Sequence, residues 1–309
     1  MAPGENPGSH TYGGIMIYLV GVSSKELLYY NRLYPQERLN LLKSYAYRST
    51  DTARLLFDYR DMIGSIICDS GTYSLSANPE KLSKKITLRG YRSYLQQLGK
   101  YYDFYFNFDQ DFSRDGFTTN QQNQLELEKA GLSPVPVVHN SYGPEISYYI
   151  KKGYKMVAIG SGELQDGNVT ELYRIVNKLY SKGIKVHLLG CTEYDKLAYT
   201  PVHSGDSTTW LQQGARGHVY YWNPDKPGHN KQDQICFVYK KYGEHMSNHI
   251  DKHPQQLQIN RYFKSQLNLS IDDLKGSKGS FYRFIANIHY YVQLDKRVAA
   301  EHRKQKFKY

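Results

Sequence analysis

Acidic and other polar residues follow several short apolar runs of the sequence, where the strands of a sheet would end. Carboxylates that converge on one place suit glycosyl transfer, in which one attacks the anomeric carbon of a sugar and another handles the proton of the base. A covalent sugar intermediate would follow from that chemistry. The residues concerned are Asp69 and Ser70, Asp109, His139, Gly160, Ser161 and Glu163, and Asp206.

Each of these residues has an ordinary structural explanation when it is taken alone. Asp69-Ser70-Gly71 is a common turn, Asp109 is a suitable helix cap, and His139 is compatible with a hydrogen-bonded core position. Gly160-Ser161-Gly162 alone is only a weak indication of a phosphate-binding loop. Their shared position after successive apolar runs favours a common site.

The elements that must position these residues alternate along the chain from about Met16 to Trp222. Apolar runs alternate with amphipathic segments, which predicts parallel βα units and a (β/α)8 TIM barrel with its active site at the C-terminal ends of the strands. The predicted strands are IMIYLVGV (15–22), SIICD (65–69), FYFNFD (104–109), VPVVH (135–139), MVAIG (156–160), KVHLLG (185–190), a run ending at Gly205-Asp206, and HVYYW (218–222) as the eighth.

Helices are predicted between these strands and beyond them. Apolar residues at helical spacing indicate helices over 120–130, 142–152 and 168–182, and further helical stretches over 256–267 and 281–298. The predicted organisation is a flexible N-terminus (1–14), a TIM-barrel catalytic core (15–222) and a C-terminal helical extension (223–309) that completes the barrel surface.

Composition limits the class of protein. The 309 residues are 40% hydrophobic and can bury one large core, and no run of 18 apolar residues occurs. The three cysteines are far apart, which indicates reduced thiols and a cytoplasmic protein. The formal charge of +11 favours a polyanionic partner, and a few of the 31 tyrosines are suited to stacking on unpaired bases.

Five segments carry motifs in a fixed order along the chain. They are CDSGTYS (68–74), NFDQD (107–111), VAIGSGE (157–163), VHLLGC (186–191) and GDSTTW (205–210). Together they resemble the tRNA-guanine transglycosylase superfamily, in which a DSGG segment, a base-binding aspartate, a glycine loop with a glutamate, an H-Y-L-M-G strand and a nucleophilic aspartate follow in this order. FIANIHYY (284–291) is a fainter match to the terminal I-H-N-L-R-Y-Y of that family.

The resemblance implies a role for each matching position. It implies that Asp206 is the covalent nucleophile, Asp69 the acid and base, and Asp109 the residue that accepts hydrogen bonds from N1 and the amino group of a guanine-like base. His139 stands where the family has a base-contacting glutamine. The remaining base-binding positions that it implies are Ser70, Gly160, Ser161 and Glu163.

The sequence also departs from the family. The family binds a structural zinc through C-x-C-x-x-C and the histidine of the terminal motif, whereas this chain lacks that cysteine cluster and has Ala286 at the histidine position. A tetrahedral zinc cannot form there with those ligands, so no metal and no cofactor is expected. His245, His249 and His253, which could face one way on a helix, are a weaker alternative metal group.

In its missing zinc subdomain, its short chain and its D-S-T-T-W segment, the sequence resembles the phage and bacterial DNA-guanine transglycosylase branch. The expected location is then the host cytoplasm if a phage encodes the protein. The expected function is exchange of guanine in DNA for a free 7-deazaguanine base, such as 7-cyano-7-deazaguanine, a DNA modification that serves restriction evasion. DNA and the free base are the expected partners, with no membrane, and the oligomeric state stays open. The alternatives are a compact tRNA-guanine transglycosylase of the queuine or archaeosine type, a non-catalytic nucleic-acid-binding barrel and an unrelated barrel glycosidase.

Overall fold

Eight parallel strands form one sheet in the described part of the chain, residues 15–77, 86–113, 115–160, 169–240 and 243–308 of a computed structural model. Their order across the sheet is β4-β3-β2-β1-β8-β7-β6-β5. The strands are β1 (Met16–Val20), β2 (Leu39–Ser44), β3 (Ile63–Asp69), β4 (Phe104–Tyr105), β5 (Val137–Val138), β6 (Met156–Ile159), β7 (Lys185–Leu188) and β8 (Ser204–Ser207).

The two end strands of this order, β4 and β5, are themselves linked. A parallel bridge joins Phe106, which follows β4, to Val135, which precedes β5. The backbone N–H of Asn107 donates to the carbonyl of Val135 at 2.9 Å, and the N–H of Val135 donates to the carbonyl of Tyr105 at 2.8 Å. The strand order therefore returns to its start, which is the topology of a (β/α)8-type fold. The structure therefore confirms the predicted fold class as an α/β fold of the (β/α)8 type.

At least one helix follows each strand, as βα units require. The helix predicted over 256–267 is present with the same bounds, and the helices predicted over 120–130, 142–152 and 168–182 are present with shifted ends. The helices are α1 (Ser24–Leu33), α2 (Thr50–Phe57), α3 (Thr72–Ala77), α4 (Leu88–Leu98), α5 (Phe117–Lys129), α6 (Glu145–Lys152), α7 (Val169–Tyr180), α8 (Tyr194–Ala198), α9 (Thr209–Ala215), α10 (Gln256–Leu267) and α11 (Ser280–Gln305).

The assignment of HVYYW as the eighth barrel strand is wrong. This segment is β9 (His218–Trp222), and it pairs antiparallel with β10 (Gln232–Cys236) in a separate two-stranded sheet. The sequence of β10, QDQIC, has only two apolar residues, so no strand was predicted within the extension. Because no partner strand was predicted for HVYYW in the extension, this segment was assigned to the barrel.

The barrel strand absent from the prediction is β2. Its sequence, LNLLKS, is interrupted by Asn40 and Lys43, which hides the apolar run. In the structure Leu41 and Leu42 are buried, whereas the Nζ of Lys43 donates to the carbonyl of Val22 at 3.1 Å. Because the ammonium group of Lys43 makes this hydrogen bond near the end of the strand, a lysine is tolerated at that position.

A cluster of buried apolar side chains joins the barrel strands. Tyr18 of β1 is fully buried within it, and its hydroxyl lies 2.9 Å from Oγ of Ser65 on β3. The hydroxyl of a large ring is thus satisfied inside the core, as burial of tyrosine requires. The cluster comprises Tyr18, Leu42, Ile67, Phe106, Val135, Val137 and Ala158.

The chain divides into two compact units. The first comprises Met1–Ser24, Arg38–Ser207 and Val298–Tyr309, of which the described part includes all eight barrel strands; the second comprises Lys25–Glu37 and Thr208–Arg297. Predicted boundaries at residues 14 and 222 stay predictions. No helix among the described residues is long and apolar enough to cross a membrane.

Buried Asn287 organises the second unit. Its Oδ1 accepts from the N–H of Tyr220 at 2.9 Å, and its Nδ2 donates to the carbonyls of Trp210 at 2.9 Å and His218 at 3.2 Å. Asn287 belongs to FIANIHYY, so this segment has a structural task in the unit. The neighbouring Ala286 is buried and offers no atom to a metal.

Candidate active site

Those polar residues singled out in the sequence that the structure describes lie at the C-terminal ends of the barrel strands. Asp69 is the last residue of β3 and Asp206 lies in β8. Asp109 follows β4, His139 follows β5 and Gly160 follows β6. Because the C-terminal ends of parallel strands open on one mouth of a barrel, these residues share a site.

The carboxylate of Asp206 is held by one of its oxygens. Oδ1 accepts hydrogen bonds from the backbone N–H of Gly190 at 3.1 Å and from Nε2 of His187 at 2.9 Å. No hydrogen bond reaches Oδ2 from any residue that the structure describes. Only 8% of the side chain is exposed. One oxygen is fixed and the other keeps its lone pairs, which is the arrangement that a nucleophilic carboxylate needs.

Asp69 is placed to move a proton at neutral pH. Burial, with repulsion from the carboxylates of Asp109 and Asp206, raises the pKa of Asp69 to about 7. The N–H of Gly71, which donates to Oδ2 at 2.8 Å, and the hydroxyl of Ser44 oppose this shift. Near pH 7 both the acid and the carboxylate are populated, as a group that gives and takes a proton requires.

The turn after β3 explains why glycine follows the Asp-Ser pair. Gly71 has a φ of +80°, and a Cβ there would lie 2.4 Å from the Cβ of Ala46. Any other residue would be strained and would clash. The segment therefore forms the turn that the sequence suggested, and this turn places Asp69 and Ser70 in the candidate site.

Asp109 is buried and already engaged by three protein groups. Its Oδ1 accepts from the hydroxyls of Ser70 at 3.2 Å and Thr72 at 3.1 Å. Its Oδ2 lies 3.1 Å from Nε2 of His139, which is the distance of an ion pair but without the geometry of a hydrogen bond. A carboxylate offers about four lone-pair sites, so these contacts leave little of its capacity free.

The imidazole of His139 is buried between Asp109 and an aromatic ring. Burial lowers the pKa of His139, but the adjacent Asp109 carboxylate outweighs this and the pKa is raised. The ring of Phe112 meets the imidazole edge to face, with centroids 5.1 Å apart. A Cβ at Gly160 would lie 3.1 Å from Nδ1 of His139, so the absence of a side chain there leaves the ring its space. Ser161 and Glu163 lie outside the described residues.

Glu145 fixes the loop that carries His139, a role that the sequence did not reveal. Its carboxylate accepts from the backbone N–H groups of His139 at 2.9 Å and Asn140 at 3.1 Å. Burial raises the pKa of Glu145, and these hydrogen bonds oppose the rise. An acidic residue in the first turn of a helix directly after a strand end was the available signal.

An exposed aromatic pair borders the site. Tyr73, on α3 after β3, and Phe112, on the loop after β4, meet edge to face with ring centroids 5.9 Å apart. Their exposed fractions are 65% and 38%. Because Phe112 also touches His139, this pair continues the site outward.

The histidines considered as a metal group do not share a helix face. His253 is bound elsewhere, with Nε2 3.1 Å from Oδ2 of Asp233. His245 and His249 lie with Asp251 such that one potential ligand atom of each is within 4.8 Å of the others. The helix assumed for this spacing is wrong, because 250–252 form a short 3₁₀ turn.

The group of His245, His249 and Asp251 is only partly hydrogen-bonded, because Nδ1 of His245 and Nε2 of His249 are buried without a hydrogen-bond partner among the described residues. Nδ1 of His249 accepts from the N–H of Asp251 at 3.2 Å, and Lys275 lies 3.0 Å from the Asp251 carboxylate. An imidazole whose Nδ1 lone pair is occupied would have to lose this bond before Nδ1 could bind a metal, and would have to change tautomer before Nε2 could.

No protein-family profile and no curated protein match this sequence. Among solved structures, the chain is similar to a protein described as native KDPGal, at 11% identity over 64% of this chain and 83% of the other, with a TM-score of 0.41. It is also similar to a racemase from Streptomyces coelicolor A3(2) with bound magnesium, at 11% identity over 71% of this chain and 60% of the other, with a TM-score of 0.43. Barrels support many unrelated reactions, so we infer neither substrate nor reaction from these likenesses.

Proposed function

We propose that the protein is a pentosyltransferase, a DNA-guanine transglycosylase that exchanges guanine for a 7-deazaguanine base. The observation that carries the proposal is the Asp206 carboxylate, with Oδ1 fixed by two donors and Oδ2 left without a partner among the described residues. A second carboxyl, Asp69, has a pKa of about 7 and repels Asp206 through space. A nucleophile beside an acid and base is the machinery of a double displacement at a sugar carbon.

In the first step Oδ2 of Asp206 attacks C1′ of a target deoxyguanosine. A C1′–O bond forms, the C1′–N9 bond breaks, and the leaving guanine takes the proton of Asp69. The products are an aspartyl-sugar ester, free guanine and the Asp69 carboxylate.

In the second step the incoming 7-deazaguanine gives its N9 proton to the Asp69 carboxylate. N9 attacks C1′, the ester bond breaks, and Asp206 returns to a carboxylate. Two inversions restore the β-glycosidic bond, and Asp69 is again protonated. The cycle needs no metal and no cofactor.

Recognition of the base is assigned to Asp109, His139, Ser70 and Gly160, with Ser161 and Glu163 placed there by the resemblance alone. N1–H and the amino group of a guanine edge both need an acceptor. Because two hydroxyls bind Oδ1 of Asp109 and the imidazole of His139 lies 3.1 Å from Oδ2, we propose that the base displaces one of the two hydroxyls as it binds.

A labelled base tests the reaction. Purified protein is incubated with isotopically labelled 7-cyano-7-deazaguanine and either DNA or tRNA, and the released nucleosides are measured by mass spectrometry. We expect label in DNA and one free guanine for each base inserted. Label in tRNA alone would identify a tRNA-guanine transglycosylase, binding without exchange a non-catalytic barrel, and an abasic site or free sugar a glycosidase.

The target strand is proposed to be unpaired around the exchanged base. The glycosidic bond is hidden inside a stacked duplex, and extruding a nucleotide costs a few kcal/mol. The exposed rings of Tyr73 and Phe112 offer stacking partners to bases whose faces are free, and a net charge of +11 attracts the phosphates.

Replacing Tyr73 and Phe112 together by Ala is expected to weaken binding of an unpaired oligonucleotide by roughly 30-fold or more, because two stacking contacts worth about 1–3 kcal/mol each are lost. Fluorescence anisotropy with labelled single strands and duplexes measures the change. The matched control is Phe57 with Tyr101, a second exposed pair in edge-to-face contact at 4.8 Å, located before β3 and β4 at the opposite strand ends. Equal losses from the two double variants would contradict the assignment.

A further inference from the structure

A fully buried histidine connects two strands behind Asp206. His187 of β7 pairs in register with Ser204 of β8, and Asp206 follows two residues later on the same strand. Alternate residues of a strand face the same side, so Ser204 and Asp206 both reach the imidazole. Nδ1 lies 2.8 Å from Oγ of Ser204, and Nε2 lies 2.9 Å from Oδ1 of Asp206.

The surroundings of His187 prevent it from turning. The ring is packed against Phe106, with centroids 4.9 Å apart, and against Tyr18 and Phe104 at 5.9 and 6.1 Å. None of its surface is exposed. Both ring nitrogens are engaged, so the imidazole has one orientation in the barrel interior and cannot itself contact a substrate.

We propose that His187 is a positioning residue for the nucleophile, held in place by Ser204. Since a carboxylate only accepts, Nε2–H donates to Oδ1. Together with the N–H of Gly190, this bond fixes Oδ1 and directs Oδ2 toward C1′. In the ester intermediate Oδ1 is the carbonyl oxygen and keeps both donors. When the ester breaks, the same donors stabilise the departing carboxylate.

This inference rests on the proposed function and predicts a defect in rate and not in binding. With the acceptor base withheld, His187→Met should slow formation of the covalent protein–DNA adduct roughly 100-fold, the usual cost of misplacing a reacting group. The KM for DNA should stay within about twofold, since His187 does not meet the strand. His187→Gln, whose Nε2–H can still reach Oδ1, should recover most of the rate.

Ser204→Ala should cost less than His187→Met, because the packed rings still hold the imidazole. The control for loss of a buried imidazole is His302→Met, since His302 is equally buried in the same unit and Nε2 donates to the carbonyl of Leu197 at 2.7 Å. Adduct rates that fall equally in His187→Met and His302→Met, or a Gln variant no faster than the Met variant, would overturn the assignment.

A spectroscopic measurement separates this inference from the proposed function. In 15N-histidine-labelled protein, the Nε2–H signal of His187 should be protected from exchange and should shift in Asp206→Asn, whereas the His302 signal should not. A wild-type protein that forms no adduct refutes the proposed function. An unshifted His187 signal refutes the positioning bond, whatever the activity.

Discussion

Under the proposed function, Asp206→Asn is expected to abolish adduct formation and to lower base exchange by roughly 10⁴-fold or more, as loss of a covalent nucleophile does. Asn keeps the shape of Asp and a carbonyl oxygen that can still accept from Gly190 and His187. The chain should therefore fold normally while it lacks the anionic oxygen that attacks C1′. Denaturing electrophoresis of protein with labelled DNA, without an acceptor base, measures the adduct directly.

The matched control is Asp111→Asn. Asp111 follows the same strand as Asp109, but its Oδ1 accepts from the N–H and hydroxyl of Ser113 within its own loop. We expect this variant to exchange bases at close to the wild-type rate. Persistence of exchange in Asp206→Asn at the wild-type rate would remove the nucleophile assignment, and equal loss in both variants would indicate a general effect of acidic charge at the mouth.

The positions of the acidic residues were predictable because they depend on strand ends. Asp69 ends β3, Asp109 follows β4 and Asp206 lies within β8, although β4 is shorter than predicted and β8 extends one residue beyond the predicted end at Asp206. Parallel topology then brings these ends together without any further information. The roles proposed for these residues came from the order of the five motifs along the chain, compared with the order in the transglycosylase family.

The groups that hold these acids were not predictable in the same way. His187 stands between Val186 and Leu188 in an apolar strand, where a lone histidine is indistinguishable from an ordinary core residue. Its partner Ser204 becomes visible only through the register of β7 with β8, which is a tertiary contact. Glu145 likewise matters through backbone groups that no side-chain pattern identifies.

Repulsion among the buried carboxylates of the site lowers the stability of the folded protein when Asp69 is ionised. Asp69 has a pKa of about 7 because burial and the carboxylates of Asp109 and Asp206 penalise its ionised form. In the unfolded chain the same group titrates near 3.8. The folded protein therefore holds this proton more tightly, and the contribution of Asp69 to stability is full below about pH 4 and is lost as the pH rises through 7.

Asp69→Asn should consequently reduce exchange and stabilise the protein together. Loss of the acid and base should slow adduct formation by roughly 10²- to 10⁴-fold. Because Asn has no proton to lose, the Tm of the variant relative to wild type should be higher at pH 8 than at pH 4. Thermal unfolding at both pH values measures this, and a Tm difference that does not change with pH would contradict the raised pKa.

The pH dependence of the wild-type protein gives the same residue a kinetic test. Guanine departure uses protonated Asp69, so the rate of adduct formation should be constant below about pH 7 and fall tenfold per unit above it. Resolution of a preformed adduct by the incoming base uses the carboxylate, so its rate should fall on the acid side. That limb should lie below pH 7, because Asp206 is an uncharged ester in the adduct and no longer raises the pKa of Asp69. In Asp69→Asn both profiles should lose their pH-dependent step. A single residue then accounts for opposite pH limbs in the two half-reactions, displaced from each other by the charge that Asp206 loses in the ester.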